Sequence, residues 1–307
     1  MKKFLLKSSL LNIIILLMFA NVLSIKAQEN VITFDVGSFA VTLLCESQRA
    51  GGANILIGAT DEMRKKTIPE GSFPMATNAF LVEANGKNLL IDAGLGRKTV
   101  ENLELCKKKA SDIDAVFITH FHGDHIGSLL LNDERTYPKA SLFIAKPEYD
   151  YYMSDEVLNS LPENRRGSIM GARRIFNAYK DKLTVFTPNE IENATELLPG
   201  IRGVAAYGHT PGHAGFLVES DGQKIFFWGD LAHAMAIQMN YPEVAVTYDS
   251  DSKKAVESRQ KLLKNLADTP VRIAGAHIPF PGVGYLRKDA FTGYNFSLIC
   301  GCEGRTP

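Results

Sequence analysis

One short run, from His120 to His125, restricts this chain more than any other feature of its sequence. Histidine is scarce, with seven residues in a chain of 307, yet three of the seven fall in this run. The four side chains that carry imidazole or carboxylate groups are spaced H-x-H-x-D-H, and they are His120, His122, Asp124 and His125. Core packing does not need such a concentration, whereas imidazole and carboxylate groups hold divalent metals in proteins. The run therefore predicts a metal site.

The local pattern places this run on a loop between a strand and a helix. The β-branched and aromatic residues of Ala115–Thr119 predict a short strand that ends where the run begins. After Asp124, the apolar residues Ile126, Leu129 and Leu130 recur with helical spacing. Loops at strand ends are where α/β proteins place their functional sites.

Three further candidate ligands each follow a predicted strand and are flanked by Gly or Ala. They are His209 after 201–206, Asp230 after 224–228 and His277 after 271–274. Taken alone, His209 is also compatible with a simple turn, Asp230 with a helix N-cap and His277 with an ordinary loop histidine. Five histidines and two aspartates are too many for one tetrahedral metal, but they suit two metals that share one carboxylate.

The ligand types indicate the chemistry. A nitrogen-rich set favours two Zn²⁺ ions, with Mn, Fe or Co as alternatives, over the all-oxygen sites of Mg²⁺ and Ca²⁺. Two such ions can hold a bridging hydroxide at neutral pH and polarise the bond under attack. Asp124 and Asp230 are the candidate catalytic carboxylates. The expected activity is hydrolysis.

These residues and their order resemble the metallo-β-lactamase superfamily, from about residue 78 to about residue 285. The resemblance implies a four-layer αββα sandwich of the α/β class. It implies that His120, His122 and His209 bind one metal, that Asp124, His125 and His277 bind the other, and that Asp230 bridges them. Asp92 would orient a ligand histidine, and His213, like His233, would lie beside the ligands or in the pocket.

The segments Trp228–His233 and Ala276–Gly282 look closer still to the methyl parathion hydrolase branch and its lactonase-like neighbours. We therefore expect a dinuclear zinc hydrolase that cleaves a lactone, a carboxyl ester or an organophosphate triester in a small apolar substrate. Zinc β-lactamases generally lack an aspartate at the position of Asp230, which argues against a β-lactamase. A zinc-binding protein without turnover remains the alternative from another class.

Aromatic and methionine side chains near the predicted loops are candidates for an apolar substrate pocket, although core packing explains each of them equally well. The candidates are Phe73, Phe121, Met235 and Phe280.

The strand pattern predicts one domain over residues 28–307. Hairpins are expected at 31–45 and at 78–91, where Asn85-Gly86 is a strong turn signal. A loop is expected at Pro69–Pro74, and helices at 98–109, 147–153, 163–182 and 252–267. Two blocks of strands that each end in helices favour two sheets packed face to face with helices outside.

The first 27 residues have the layout of a secretory signal peptide: three early lysines, an apolar run from Leu10 to Leu23, and Ala27 at the expected cleavage position. An uncleaved anchor is the alternative. We expect a periplasmic or secreted protein without a stable membrane anchor. Removing this segment changes the formal charge from 0 to −4, because four lysines leave with it. The rest of the sequence has no stripe of lysines and arginines that could contact the phosphates of a nucleic acid, so no nucleic-acid partner is expected. The sequence is compatible with a homodimer.

Four cysteines, Cys45, Cys106, Cys300 and Cys302, could pair in an oxidising compartment, but the sequence does not assign a pairing. None lies among the candidate ligands, and we interpret them as structural or incidental.

Overall fold

A computed structural model describes residues 30–290 and 293–299. Within them, two seven-stranded sheets pack face to face. The predicted signal peptide, residues 1–27, and both Cys300 and Cys302 lie outside the described residues. No helix in the described part of the chain is long and apolar enough to cross a membrane.

The first sheet has the strand order β1-β2-β4-β5-β6-β9-β10. Its strands are β1 (Val31–Val36), β2 (Phe39–Gly52), β4 (Ser72–Ala84), β5 (Lys87–Ile91), β6 (Ala115–Ile118), β9 (Ser141–Ala145) and β10 (Leu183–Phe186). The second sheet has the order β11-β12-β13-β14-β16-β17-β18. Its strands are β11 (Thr195–Leu198), β12 (Ile201–Ala205), β13 (Ala214–Ser220), β14 (Gln223–Phe227), β16 (Arg272–Ala274), β17 (Val283–Lys288) and β18 (Tyr294–Leu298).

Two short strand pairs and eight α-helices complete the described residues. The pairs are β3 (Leu56–Ile57) with β15 (Ala245–Val246), and β7 (Leu130–Leu131) with β8 (Glu134–Arg135). The helices are α1 (Asp61–Thr67), α2 (Arg97–Leu105), α3 (Gly123–Ile126), α4 (Lys146–Met153), α5 (Asp155–Ser160), α6 (Arg166–Ala178), α7 (Met235–Gln238) and α8 (Ser252–Leu266).

Alternation along the strands divides their side chains between an inner and an outer layer. On β2, Val41 and Leu43 face the second sheet in the central core, whereas Leu44 faces the helices. Phe80 of the first sheet meets Phe227 of the second with ring centroids 4.9 Å apart. The central core therefore lies between the two sheets.

Helices cover the outer face of each sheet. Ile169 and Ala172 of α6 pack in one cluster with Val116 and Leu142 of the first sheet. Leu262 and Leu263 of α8 pack with Phe226 and Ile273 of the second sheet. The order helix, sheet, sheet, helix confirms the predicted αββα sandwich.

Strand direction brings the candidate ligands to one edge. In the first sheet β5, β6 and β9 are parallel, so their carboxyl ends lie side by side. In the second sheet β12, β14 and β16 share a direction, since β13 is antiparallel to both of its neighbours and β14 is parallel to β16. Residues that follow these six strands therefore meet at the same edge.

Besides the predicted helix over 98–109, which ends at Leu105, three sequence-based expectations differ from the structure. β4 begins at Ser72, inside the predicted loop, because its first half pairs with the end of β2, up to Gly52 opposite Ser72. The predicted helix over 163–182 is a 3₁₀ turn, Glu163–Arg165, followed by α6, which ends at Ala178. The last two strands, β17 and β18, were not predicted. In the first and third cases a distant partner strand determines the structure, and local propensity does not record it.

The two described cysteines, buried Cys45 and half-buried Cys106, are free thiols. Each donates to a backbone carbonyl, Cys45 to Ser47 at 3.6 Å and Cys106 to Asn102 at 3.2 Å. Burial raises the pKa of both thiols to about 11. Neither thiol lies among the candidate ligands.

Candidate metal centre

The carboxylate of Asp230 lies at the centre of the histidine cluster. It follows β14 and is buried. The Nε2 atoms of His209, His233 and His277 lie 3.2, 3.0 and 3.1 Å from its Oδ2. On the other side, Nε2 of His125 lies 3.1 Å from Oδ1, and Nε2 of His120 lies 3.6 Å from Oδ2. One carboxylate thus contacts imidazoles from both sheets.

The seven predicted ligands form two neighbouring groups, each with donor atoms within 4.8 Å of one another. The first group is His120, His122, His209 and Asp230, and the second is Asp124, His125 and His277. This is the same division that the resemblance implied. Asp230, His233 and His277 form a third, overlapping group. Nε2 of His277 is 3.5 Å from Oδ2 of Asp124, so the second group is compact.

Several buried donor atoms in this centre have no hydrogen-bond partner. They include Nε2 of His120, Nε2 of His125 and Oδ1 of Asp230. A buried polar atom without a partner costs free energy, unless its lone pair serves another purpose. Lone pairs that converge from imidazole and carboxylate groups suit metal ions, so the residues fit the two metals that the fold implies.

Asp92 fixes the start of the H-x-H-x-D-H loop. It follows β5 in the left-handed region, with a φ of 59°. Its carboxylate accepts from the backbone N–H of Thr119 at 2.8 Å and lies 2.8 Å from Nδ1 of His125. With Nδ1 held there, Nε2 of His125 is directed at Asp230. Asp92 thus contacts the imidazole of a candidate ligand on the side away from Asp230.

The other imidazoles are held through their second nitrogens. Nδ1 of His277 lies 2.8 Å from the carbonyl oxygen of Ala76 on β4. Nδ1 of His213 lies 2.8 Å from the carbonyl oxygen of Ala206, and its Nε2 accepts from the backbone N–H of Asp230 at 2.9 Å. His213 therefore positions the segment that carries Asp230 and does not itself face the cavity.

The sequence did not predict that Asp249 contacts a candidate ligand. Its Oδ1 lies 2.9 Å from Nδ1 of His209, and its Oδ2 accepts from the N–H of Val246. The buried Arg259 of α8 lies near the same carboxylate and donates to the carbonyl oxygens of Leu231 and Val244. Asp249 and Arg259 together hold the segment between α7 and α8 against the centre.

Glu148 was also missed. It lies on α4, is fully buried, and joins two ligand loops. Its carboxylate accepts from the N–H of Phe121 at 2.9 Å, from the hydroxyl of Thr210 at 2.7 Å and from the N–H of Gly212 at 2.9 Å. Burial raises the pKa of Glu148, although these hydrogen bonds oppose the shift. No local motif marks either Glu148 or Asp249, because their partners are distant in sequence.

The protonation of the cluster follows its contacts. Burial lowers the pKa of His233 to about 4 and that of His213 to about 3, so both are neutral imidazoles at neutral pH. Burial also lowers the pKa of His209, but hydrogen bonds to Asp230 and Asp249 outweigh it and raise the pKa to about 9. Burial opposes ionisation of Asp230, yet the surrounding imidazoles hold its pKa well below the usual range. Asp230 is therefore an anion.

A cavity of about 300 Å³ opens onto the cluster. Six of its lining residues belong to the histidine and carboxylate group: His122, Asp124, His209, Asp230, His233 and His277. Its remaining lining residues are Arg49, Met75, Gly123 and Tyr248. The side chain of Asp124 is 25% exposed, which makes it the more accessible of the two predicted catalytic carboxylates.

None of the four predicted pocket residues lines this cavity. Phe73 is buried beside Ile55 and Ile68. Phe121, between the two histidines of H-x-H, points away from them and packs on Phe176 of α6 with ring centroids 4.6 Å apart. Met235 packs against the outer core of the second sheet, and Phe280 against the central core. All four contribute to packing.

Comparisons with known proteins agree with this fold. The family model of the metallo-beta-lactamase superfamily matches residues 73–277. The endoribonuclease YSH1 of Eremothecium gossypii is 25% identical over 227 residues, which cover 67% of this chain and 29% of that protein. The chain thus spans less than a third of this relative's length.

Two solved structures superpose over most of the chain. The hydrolase AbOPH of the beta-lactamase superfamily is 24% identical with a TM-score of 0.79, and this likeness covers 88% of this chain and 98% of that one. AidC, a dizinc quorum-quenching lactonase solved with a product, is 26% identical with a TM-score of 0.77 and the same two coverages.

Proposed function

The chain belongs to the metallo-beta-lactamase superfamily, and we propose that it is a two-metal hydrolase that cleaves an ester-like bond in a small molecule. The observation that carries the proposal is the convergence of seven donor side chains in two groups around Asp230. The bond that is cleaved belongs to a lactone, a carboxyl ester or an organophosphate triester.

In this proposal His120, His122 and His209 hold one metal, Asp124, His125 and His277 hold the other, and Asp230 serves both. Zinc is the expected metal, and Mn, Fe or Co suit the same donors. When bound, such metals supply Lewis acidity and a water whose pKa is lowered to about 7.

The chain's own residues prepare the site for this chemistry. The N–H of Asp230 is held by His213, and Nδ1 of His125 is held by Asp92, so neither ligand has to reorganise. Asp124 is the more exposed of the two carboxylates that line the cavity, and there it can accept a proton from the nucleophile or return one to the leaving group. Burial of the imidazoles excludes bulk water behind the reacting bond.

The size of the cavity supports a small substrate. About 300 Å³ is at the lower end of the range for small-molecule sites. AidC, which resembles the chain over 88% of its length, is a lactonase, and this favours an ester-like bond.

A nuclease is the second candidate, because the endoribonuclease YSH1 is among the relatives. A nuclease has to neutralise several phosphates along a strand, which requires lysine or arginine side chains beside the site. Among the residues that line the cavity, Arg49 is the one arginine, and no lysine is present. The small-molecule hydrolase is therefore the better supported proposal.

The decisive test is a substrate panel on zinc-loaded protein, with chelator-treated protein as the control. The panel contains a lactone, an aryl carboxyl ester, a phosphotriester, a β-lactam and a single-stranded RNA. We expect about two metals per chain and turnover of at least one ester-like substrate, lost on chelation and restored by zinc. Less than one metal per chain, or tight zinc binding without turnover, would contradict the proposal. Cleavage of RNA alone would support the nuclease.

We also propose export to the periplasm or beyond, on the basis of the apolar run from Leu10 to Leu23 after basic residues. Cell fractionation tests this. The mature protein should appear outside the cytoplasm, begin at or near Gln28, and need no detergent for release. Retention in the cytoplasm or in the membrane fraction would contradict it.

A further inference from the structure

Three side chains that line the metal cavity stand outside the histidine and carboxylate group. They are Arg49, Met75 and Tyr248, since Gly123 has no side chain. Met75 is apolar, and Tyr248 is 47% exposed with its ring 5.8 Å from that of His233. Discrimination between one ester and another in this cavity therefore rests on one cation, one thioether and one phenol.

The backbone fixes Arg49 relative to the ligands. Arg49 on β2 is paired directly with Met75 on β4, so both side chains project from the same face of the sheet. The next residue of β4, Ala76, accepts from Nδ1 of His277 at 2.8 Å. Arg49 is thus one ladder position away from a residue that holds a candidate ligand, and it is not on a loose loop.

A glycine next to this pair leaves room for the side chain of Met75. Two residues beyond Arg49, Gly51 faces Phe73 across the ladder. A Cβ at Gly51 would lie 2.5 Å from Sδ of Met75 and 2.5 Å from a ring carbon of Phe73. The close approach keeps Met75 in place on the cavity wall beside Arg49.

The guanidinium of Arg49 is exposed, and no hydrogen bond or ion pair joins it to any of the described residues. Several other arginines of the described residues form ion pairs with acidic side chains. Nη1 of Arg202, for example, lies 3.1 Å from Oε2 of Glu219. An arginine stays charged at any physiological pH and offers five donors that fit the two oxygens of a carboxylate. Its donors are therefore available to a ligand in the cavity.

We propose that Arg49 binds an anionic oxygen group of the substrate, at the end away from the bond that is cleaved. The preferred substrates are then small esters that carry a carboxylate, which Met75 and Tyr248 contact through the connecting carbon chain. This rests on the proposed ester hydrolysis for the reaction itself. Asp124, which also lines the cavity, repels an anion, whereas Arg49 attracts it.

A matched pair of aryl esters tests the preference. The first is a monoaryl glutarate, whose acyl group ends in a free carboxylate, and the second is the same compound with that carboxylate methylated. The cleaved bond and the leaving group are identical. The zinc-loaded wild type should have about tenfold higher kcat/KM for the anionic ester, mainly through KM, and raising the ionic strength should reduce this preference.

Arg49→Gln should remove the tenfold preference and leave kcat/KM for the methylated ester within about twofold. Arg49→Lys keeps the charge without the planar fork and should retain part of the preference. Arg165→Gln, at an exposed arginine outside the cavity lining, is the matched control and should behave as the wild type. Equal loss on both esters, or an unchanged preference in Arg49→Gln, would overturn the proposal.

A binding measurement separates this proposal from the proposed reaction. Glutarate is titrated into chelator-treated protein, and binding is followed by NMR. The wild type should bind glutarate about tenfold more tightly than Arg49→Gln does, whether or not any ester is turned over. Turnover without this difference would contradict the role of Arg49 alone. The difference without turnover would contradict the ester hydrolase alone.

Discussion

The metal site has two parts that are built differently: the floor, which is the cluster of the seven candidate ligands with His233, and the rim, which is formed by the cavity-lining residues Arg49, Met75 and Tyr248. The floor side chains are tied to Asp230 or to one another, and most have a second contact that orients them, such as Asp92 with His125. On the rim, Arg49 is exposed and makes no hydrogen bond or ion pair with any residue that the structure describes, and Tyr248 is 47% exposed. The floor is therefore fixed in advance, whereas the exposed Arg49 and Tyr248 of the rim are free to meet a ligand.

The difference separates the chemistry from the choice of substrate. Preorganised donors determine what kind of bond the site can break, because they need no reorganisation as charge develops. Exposed side chains at the entrance determine which molecule arrives, and each contributes a modest difference in binding. Substitutions on the floor should therefore lower kcat and metal content, and substitutions on the rim should raise KM.

The largest effect is expected for Asp230→Asn. The substitution removes the one negative charge that all the surrounding imidazoles share. We expect kcat to fall on the order of 10³-fold and metal content to drop from about two per chain. Ester turnover and metal analysis of the purified variant measure this, with Asp221→Asn on an exposed turn as the control. Unchanged turnover would exclude a shared role for Asp230.

Asp249→Asn should come next, because it weakens the floor through only one ligand. The amide keeps the shape but not the charge that stabilises the imidazole of His209. We expect metal affinity to fall about 10- to 100-fold, with kcat largely restored at saturating zinc. Competition with a zinc chelator measures the affinity, and Asp150→Asn on the surface of α4 is the control. If affinity is unchanged, His209 does not need this support.

The floor could be predicted from the sequence and the rim could not, for physical reasons. His120, His122, Asp124 and His125 are close in sequence, so their spacing alone indicates a common site. His209, Asp230 and His277 each follow a strand, and strand direction brings such ends together. The αββα fold was likewise predictable from the alternation of strands and helices.

The rim depends on a pairing that the sequence does not record. Arg49 reaches the cavity because β2 continues past residue 45 and β4 begins before residue 78, so that both strands extend beyond the two predicted hairpins. The added part of β4 contains Pro74, and its local sequence predicts a loop. Phe73, Phe121, Met235 and Phe280 were predicted to line the pocket because they lie on or near the loops predicted around the site. In the structure each of these side chains points into a packed cluster and away from the metal cavity.

Glu148→Gln tests how far the floor depends on support from outside the cavity. The carboxylate accepts two backbone N–H groups, and the amide would leave one of them without an acceptor. We expect the free energy of unfolding of the chelated protein to fall by about 2 kcal/mol at a pH near 4.5, the ordinary pKa of a glutamate. Chemical denaturation measures this, with Glu156→Gln on the exposed face of α5 as the control. A loss below about 0.5 kcal/mol would show that the two ligand loops hold without Glu148.

The same variant gives a pH dependence with a definite sign. Burial raises the pKa of Glu148 above its unfolded value of 4.5, so the folded protein holds this proton more tightly than the unfolded chain does. Its contribution to stability is fully present below pH 4.5 and declines as the pH rises through the folded pKa. The stability difference between the wild type and Glu148→Gln should therefore shrink from acid towards neutral pH. A difference that grows with pH would show that the hydrogen bonds outweigh burial.

Tyr248→Ala should have the smallest effect, and it tests the division between floor and rim directly. The side chain is about half exposed, so its removal forfeits only part of the apolar contact with a substrate. We expect KM to rise about threefold and kcat and metal content to stay constant, as measured by steady-state kinetics and metal analysis. Leu105→Ala, at a similar exposure on α2, controls for the loss of surface area. If Tyr248→Ala instead lowered kcat as strongly as Asp230→Asn, its contact with His233 would be part of the preorganised site. The boundary between chemistry and selection would then lie outside the histidine cluster.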